Sequence, residues 1–103
     1  MKRVFSTYVT GISHHRKNFY SLDLDKEDFT LDLVEEPTNK YDPDAIKVIV
    51  DGKHIGYIPA KKCKKVKKIL HTKNVIETRY VHEEEEIDDL NMDYHNLIYI
   101  WYK

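Results

Sequence analysis

The sequence predicts a mainly β fold with one or two short helices, its six short strands curled into a small, partly closed barrel. Three observations carry this expectation. Six short runs rich in β-branched, aromatic or alternating apolar residues are spread along 103 residues. Two of them flank Asp51-Gly52, a dipeptide suited to the positive φ angles of a tight hairpin turn. Only one long helical pattern interrupts them, and so small a sheet removes its exposed edges only by curling.

The first strand is Val4 to Val9, ending near Gly11, and Ser13 to Asn18 is a polar connection. Phe19 to Leu24 is open to a short irregular strand, with Asp23 to Asp28 as a turn or a single helical turn. Phe29-Thr30-Leu31-Asp32-Leu33-Val34 alternates, placing Phe29, Leu31 and Leu33 on one face of a half-buried strand. A polar loop from Glu35 to Asp44, bounded by Pro37 and Pro43, leads into the hairpin Ala45–Val50 and His54–Ile58. A two-residue turn at Asp51-Gly52 sets Val50 opposite Lys53, Val48 opposite Ile55 and Ile46 opposite Tyr57. Pro59 suits a first helical turn. Ala60, Cys63, Val66, Ile69 and Leu70 follow at helical spacing, while Lys61, Lys62, Lys64, Lys65, Lys67 and Lys68 fill the other face. Val75 to Val81 and Leu97 to Tyr102 are the last strands, joined by an acidic run expected to be a loop or short helix.

Length and composition indicate one domain, residues 1–103, with 41% apolar residues for a modest core. With 34% charged residues and three each of Gly and Pro, the chain reads as a structured, soluble module. No run is long enough for a membrane span, and the N-terminus lacks the apolar core of a signal peptide, so a cytoplasmic location without membrane contact is expected. The lone Cys63 agrees with a reducing compartment. The net charge of -1 conceals a separation of sign: seven lysines and no acid lie between Lys61 and Lys73, whereas Glu83 to Glu86, Asp88, Asp89 and Asp93 crowd the next segment. These runs are either two solvated faces or a basic surface able to meet phosphates. Neighbouring lysines on one helix repel, which a bound anion relieves.

Enzyme signatures are missing: there is no phosphate-cradling glycine loop, nucleophile elbow or zinc-binding histidine pair. The six histidines have no metal spacing, so neither a metal nor another cofactor is expected. Cys63 falls on the apolar helix stripe and reads as a small core residue. The loop pair Tyr41-Asp42 is chemically better equipped. A tyrosine between two prolines offers a flat face to a nucleobase, and an adjacent carboxylate repels phosphate but accepts a hydrogen bond from a sugar hydroxyl. The alternative is that Asp42 caps the Pro43-Asp44 turn while Tyr41 packs over the barrel end.

The pattern Leu33-Val34-Glu35-Glu36-Pro37-x-Asn39-x-Tyr41-Asp42-Pro43-x-Ala45-Ile46-x-Val48, followed by Gly52-x-x-Ile55-Gly56-Tyr57-Ile58-Pro59 and preceded by Gly11, resembles the HIRAN domain over roughly residues 4 to 70. The resemblance implies an OB-like or SH3-like barrel. It also implies a grip on the 3′-hydroxyl end of single-stranded DNA, as in fork-remodelling helicases, in a stand-alone bacterial or phage member. Carried over, Tyr41 is the base-stacking tyrosine, Asp42 the carboxylate at the terminal hydroxyl and Asn39 a neighbouring polar contact. Ser13, His14 and His15 stand where DNA-binding members have an arginine and two aromatics, with Arg16 as a substitute for that arginine. Tyr57 replaces a histidine, and Lys61 or Lys62 replaces a lysine that aligns near Ala60.

The resulting expectation is a non-catalytic module binding single-stranded DNA at its 3′ end in repair or replication-fork processing, with a repair or remodelling protein as partner. Tyr41, Tyr57 and His14 or His15 would contact bases, and Lys61, Lys62 and Lys65 the phosphates. The competing expectation is a protein-interaction module using the aromatic loop and the opposed charge patches. An enzyme using Asp42 and a histidine ranks below both.

Overall fold

The computed structural model describes residues 1–103. Its elements are β1 (Arg3–Tyr8), a 3₁₀ turn (Ile12–His14), α1 (Arg16–Tyr20), β2 (Leu31–Glu35), β3 (Ile46–Val50), β4 (Lys53–Tyr57), α2 (Ala60–Thr72), β5 (Val75–Asp88) and β6 (Asn91–Tyr102). The fold is mainly β, with the expected number of strands. They form two antiparallel three-stranded sheets, in the orders β1-β6-β5 and β2-β3-β4. Neither sheet closes into a barrel. The sheets meet where the chain beyond β1 approaches β4: Thr10 and Tyr57 exchange backbone hydrogen bonds of 2.9 and 2.8 Å.

That approach requires a glycine. A Cβ on Gly56 would lie 2.4 Å from the Thr10 carbonyl oxygen and 2.7 Å from Val9 Cγ1. One core fills the space between the sheets and α2. It contains Ile46, Val48 and Val50 of β3, Cys63, Val66 and Ile69 of α2, and Tyr80, Ile98 and Ile100 of the other sheet. Of the helical stripe expected from the sequence, Cys63, Val66 and Ile69 form the buried face of α2 and Leu70 packs at the edge of the core, whereas Ala60 is exposed in the first turn.

Asp51 and Gly52 have φ angles of 48° and 77°, so the tight hairpin turn forms as expected. Its register differs. Val50 pairs with Lys53 and Ile49 with His54, but a bulge intervenes, and beyond it Val48 faces Gly56 and Lys47 faces Tyr57. The extra residue is Ile55, which allows both Ile55 and Ile58 to enter the core. The shift moves Tyr57 off the core side of β4 and onto the side of His54.

Two other segments differ from expectation. Residues 16–20 form α1, so Phe19 to Leu24 is no strand; Phe19 is instead buried from one turn of helix. The acidic run is part of a long hairpin in which Glu83 pairs with His95, Glu84 with Tyr94 and Glu86 with Met92. Pairing with β6 supplies the extended conformation that acidic side chains do not themselves favour. No helix is long and apolar enough to cross a membrane.

Candidate nucleic-acid interface

The Glu36–Ala45 loop is rigid for reasons visible in its own residues. Its neck is closed by the Glu36 N–H donating to the Ala45 carbonyl at 2.9 Å. Inside, the Asn39 side-chain oxygen accepts from the backbone N–H groups of Tyr41 and Asp42 at 2.9 and 3.0 Å. Asp42 Oδ1 accepts from the Asp44 N–H at 2.8 Å, and Lys67 of α2 pins the far side through Asp44 at 2.8 Å. That ion pair holds the Asp44 carboxyl below its ordinary value and raises the Lys67 ammonium.

The loop presents its two best-equipped side chains differently. Tyr41 is 96% exposed and packs on nothing, although the backbone beneath it is fixed. Asp42 is half-buried; one oxygen caps the turn and Oδ2 has no protein partner. The turn-capping alternative thus describes one oxygen of Asp42, while Tyr41 does not pack over the sheet end.

Opposite the loop, Gly11 adopts a left-handed conformation with φ of 78° and turns the chain into Ile12–His14. This carries His14 and His15 to the edge of β4. His15 lies 4.2 Å from His54, ring centre to ring centre, and His54 meets Tyr57 edge-on at 4.9 Å. Burial, and then the His15 ring, lowers the His54 pKa below the usual histidine value, favouring an uncharged ring that donates from Nε2 to the Gly56 carbonyl at 2.9 Å.

Glu36 links the two sides. It accepts from Asn39 Nδ2 at 2.6 Å and from the Tyr57 hydroxyl at 3.2 Å, and pairs with Lys47 at 3.0 Å. Asn39, followed by Lys47 and Tyr57, holds its carboxyl below the ordinary range. Burial, reinforced by Glu36, raises the Tyr57 phenol. Tyr57 is therefore a neutral hydroxyl whose oxygen is fixed by a carboxylate.

Between these walls lies a cleft of about 400 Å³, of a size that encloses small ligands. Asn39, Tyr41, Asp42, His14, His15 and Tyr57 all line it, so six of the expected residues converge. Lys61 and Lys62 occupy the first turn of α2 between two lining residues, Ala60 and Cys63, without lining it themselves; Lys65 is exposed one turn further on. Arg16 is exposed at the start of α1 and is not among the lining residues. Of the seven lysines from Lys61 to Lys73, only Lys67 forms an ion pair, leaving the other six cations unpaired.

Sequence reasoning missed Glu36, His54 and the Thr10–Gly11 backbone. Glu36 stands inside the loop motif, and its neighbours Asn39 and Tyr57 were its signal. Cys63 is buried on the floor, where burial and the Asp42 charge push its thiol up, away from an activated thiolate.

The cleft thus offers one free aromatic face, one free carboxylate oxygen, a histidine–tyrosine wall and a neighbouring row of cations. No curated protein and no solved structure matches the chain. The family model for the HIRAN domain matches residues 2–101.

Proposed function

The chain belongs to the HIRAN domain family, which is generally a family of DNA-binding modules, and on that footing we propose that it grips the 3′-hydroxyl end of single-stranded DNA. The observation that carries this reading is the Tyr41-Asp42 pair at the cleft: a ring with nothing packed on it beside a carboxylate oxygen with no partner. A terminal base stacks on Tyr41, contributing ~1–3 kcal/mol. The terminal 3′-hydroxyl donates to Asp42 Oδ2, a hydrogen bond that an internal phosphodiester cannot make. His14, His15 and Tyr57 form the opposite wall, where Tyr57 and the uncharged His54 beneath it provide polarity without added charge.

Phosphates further along the strand meet Lys61, Lys62 and Lys65, relieving the mutual repulsion of an unpaired lysine face. Arg16 is available to phosphates outside the cleft. The module is non-catalytic in this reading: it holds the strand end without altering it. Its setting is DNA repair or replication-fork processing in the cytoplasm, beside a repair or remodelling protein.

Fluorescence anisotropy with a linear single strand and its covalently closed circle tests the reading. The linear strand is expected to bind more tightly. Equal affinity would remove end recognition while leaving general strand binding, and no binding of either would remove both.

A further inference from the structure

The hairpin of β5 and β6 outruns its sheet. β1 pairs with β6 only from Leu97 to Tyr102, so the segments beyond it form a ribbon without a third strand. A two-stranded ribbon is marginal by itself in water. This one carries seven acids between Glu83 and Asp93, and no Lys or Arg occurs from Tyr80 to Tyr102. Ile87, Leu90, Met92 and Tyr94 are exposed along it.

At its base is a second cleft of about 340 Å³, bounded by Phe19, Tyr20, His82, Glu84, Tyr94 and Asn96 among others. The His82 side chain is 3% exposed, its ring stacked near-parallel to Tyr94 at 6.0 Å and met edge-on by Phe19 at 5.9 Å. Its Nδ1 donates to Asn96 Oδ1 at 2.7 Å, and the buried Tyr80 hydroxyl donates to the same oxygen at 2.6 Å. The floor is therefore fixed. Tyr20 and Tyr94 remain 72% and 56% exposed, and Glu84 lies at the rim with its carboxylate 3.3 Å from His82 Nε2.

Aromatic faces beside a carboxylate attract a cation, while the acidic ribbon above repels phosphate. We propose that the ribbon and this cleft dock a basic segment of a partner protein, one Lys or Arg of which enters between Tyr20 and Tyr94 and pairs with Glu84. The segment Ile12–Tyr20 separates this cleft from the Tyr41-Asp42 cleft, lining one with Phe19 and Tyr20 and the other with His14 and His15, so docking leaves the first cleft open.

The test is a titration of the ¹⁵N-labelled full chain with a hexa-arginine peptide, followed by NMR, with a thymidine oligonucleotide as the second probe. The peptide is expected to shift the amides of Tyr20, His82, Glu84 and Tyr94. Glu84→Gln and Tyr94→Ala should each weaken it about 5-fold, whereas Tyr94→Phe retains affinity and Glu86→Gln, further out on the ribbon, changes it less than about 2-fold. Equal losses for Glu84→Gln and Glu86→Gln would reduce the effect to diffuse charge and overturn the cleft. Shifts at these residues from the oligonucleotide, but not the peptide, would overturn the choice of partner. Unchanged far-ultraviolet circular dichroism of each variant establishes that the losses are local.

Discussion

Adding one methyl group at Gly56 should damage the fold and the cleft together. The new Cβ would sit 2.4 Å from the Thr10 carbonyl oxygen, a backbone atom that cannot swing aside, and 2.7 Å from Val9 Cγ1. Relief requires the chain after β1 to withdraw from β4, which strains or breaks the two Thr10–Tyr57 hydrogen bonds. Overpacking costs about 1–3 kcal/mol and each broken bond about 0.5–1.5 kcal/mol, so Gly56→Ala should cost roughly 2–6 kcal/mol, the upper end if both bonds are lost. The domain should remain folded at low temperature, since domains of this size hold about 5–15 kcal/mol. Because that close approach also sets His14 and His15 against Tyr57, strand affinity should fall even where the variant is folded. Gly52→Ala is the control: its φ of 77° disfavours alanine, but its Cβ meets open space. It should cost about 1 kcal/mol and leave strand binding intact. Urea unfolding and anisotropy on both variants decide the matter. A Gly56→Ala loss below about 0.5 kcal/mol would refute the close approach as the reason for glycine.

Tyr41→Ala should leave unfolding unchanged within about 0.5 kcal/mol, since the ring packs on nothing, yet weaken single-strand binding by about 5- to 150-fold. Asn39→Ala removes the acceptor of two loop N–H groups and a donor to Glu36; chemical unfolding should show a loss of about 1–2 kcal/mol, and hydrogen exchange should quicken at Tyr41 and Asp42. Replacing Lys61, Lys62 and Lys65 with Gln should flatten the salt dependence of binding by about 0.7 in log–log slope for each phosphate that is no longer neutralised. For pH, the carboxyls of Glu36, Asp44 and Asp51 lie below their ordinary values in the fold, so their stabilisation is complete above those values and is lost as pH falls through the folded ones. His54, also lowered, adds an earlier loss as pH falls below about 6.5. Melting temperature measured from pH 7 to 3 should fall in both windows, with Glu36→Gln blunting only the acidic one.

Much of this architecture is legible from local chemistry. Asp51-Gly52 favoured a hairpin because both residues tolerate the positive φ that a tight turn requires, and the helical spacing of Cys63, Val66 and Ile69 marked the buried side of a helix. The bulge at Ile55 was harder, because simple alternation allows one register; that Ile55 and Ile58 are both apolar at a spacing of three was the available sign. The Glu83–Glu86 segment has neither alternation nor strand propensity, and only its partner strand makes it extended. At the cleft, Asn39, Tyr41, Asp42 and Tyr57 were recognisable from their motif, along with His14 and His15 beside Gly11. Glu36 bonds Asn39 within the motif, but its tie to Tyr57, like that of His54 to His15, crosses a sequence separation that local reading does not bridge.

The central claim concerns what Asp42 meets. Two oligonucleotides of one sequence, ending in a 3′-hydroxyl or a 3′-phosphate, should be titrated against the wild type and Asp42→Asn, which retains the Oδ1 that caps the Asp44 N–H. The wild type is predicted to prefer the hydroxyl end by about 10-fold or more, as expected for a hydrogen bond to a charged acceptor, and Asp42→Asn to lose most of that preference. Equal affinity of the wild type for the two ends would contradict the claim.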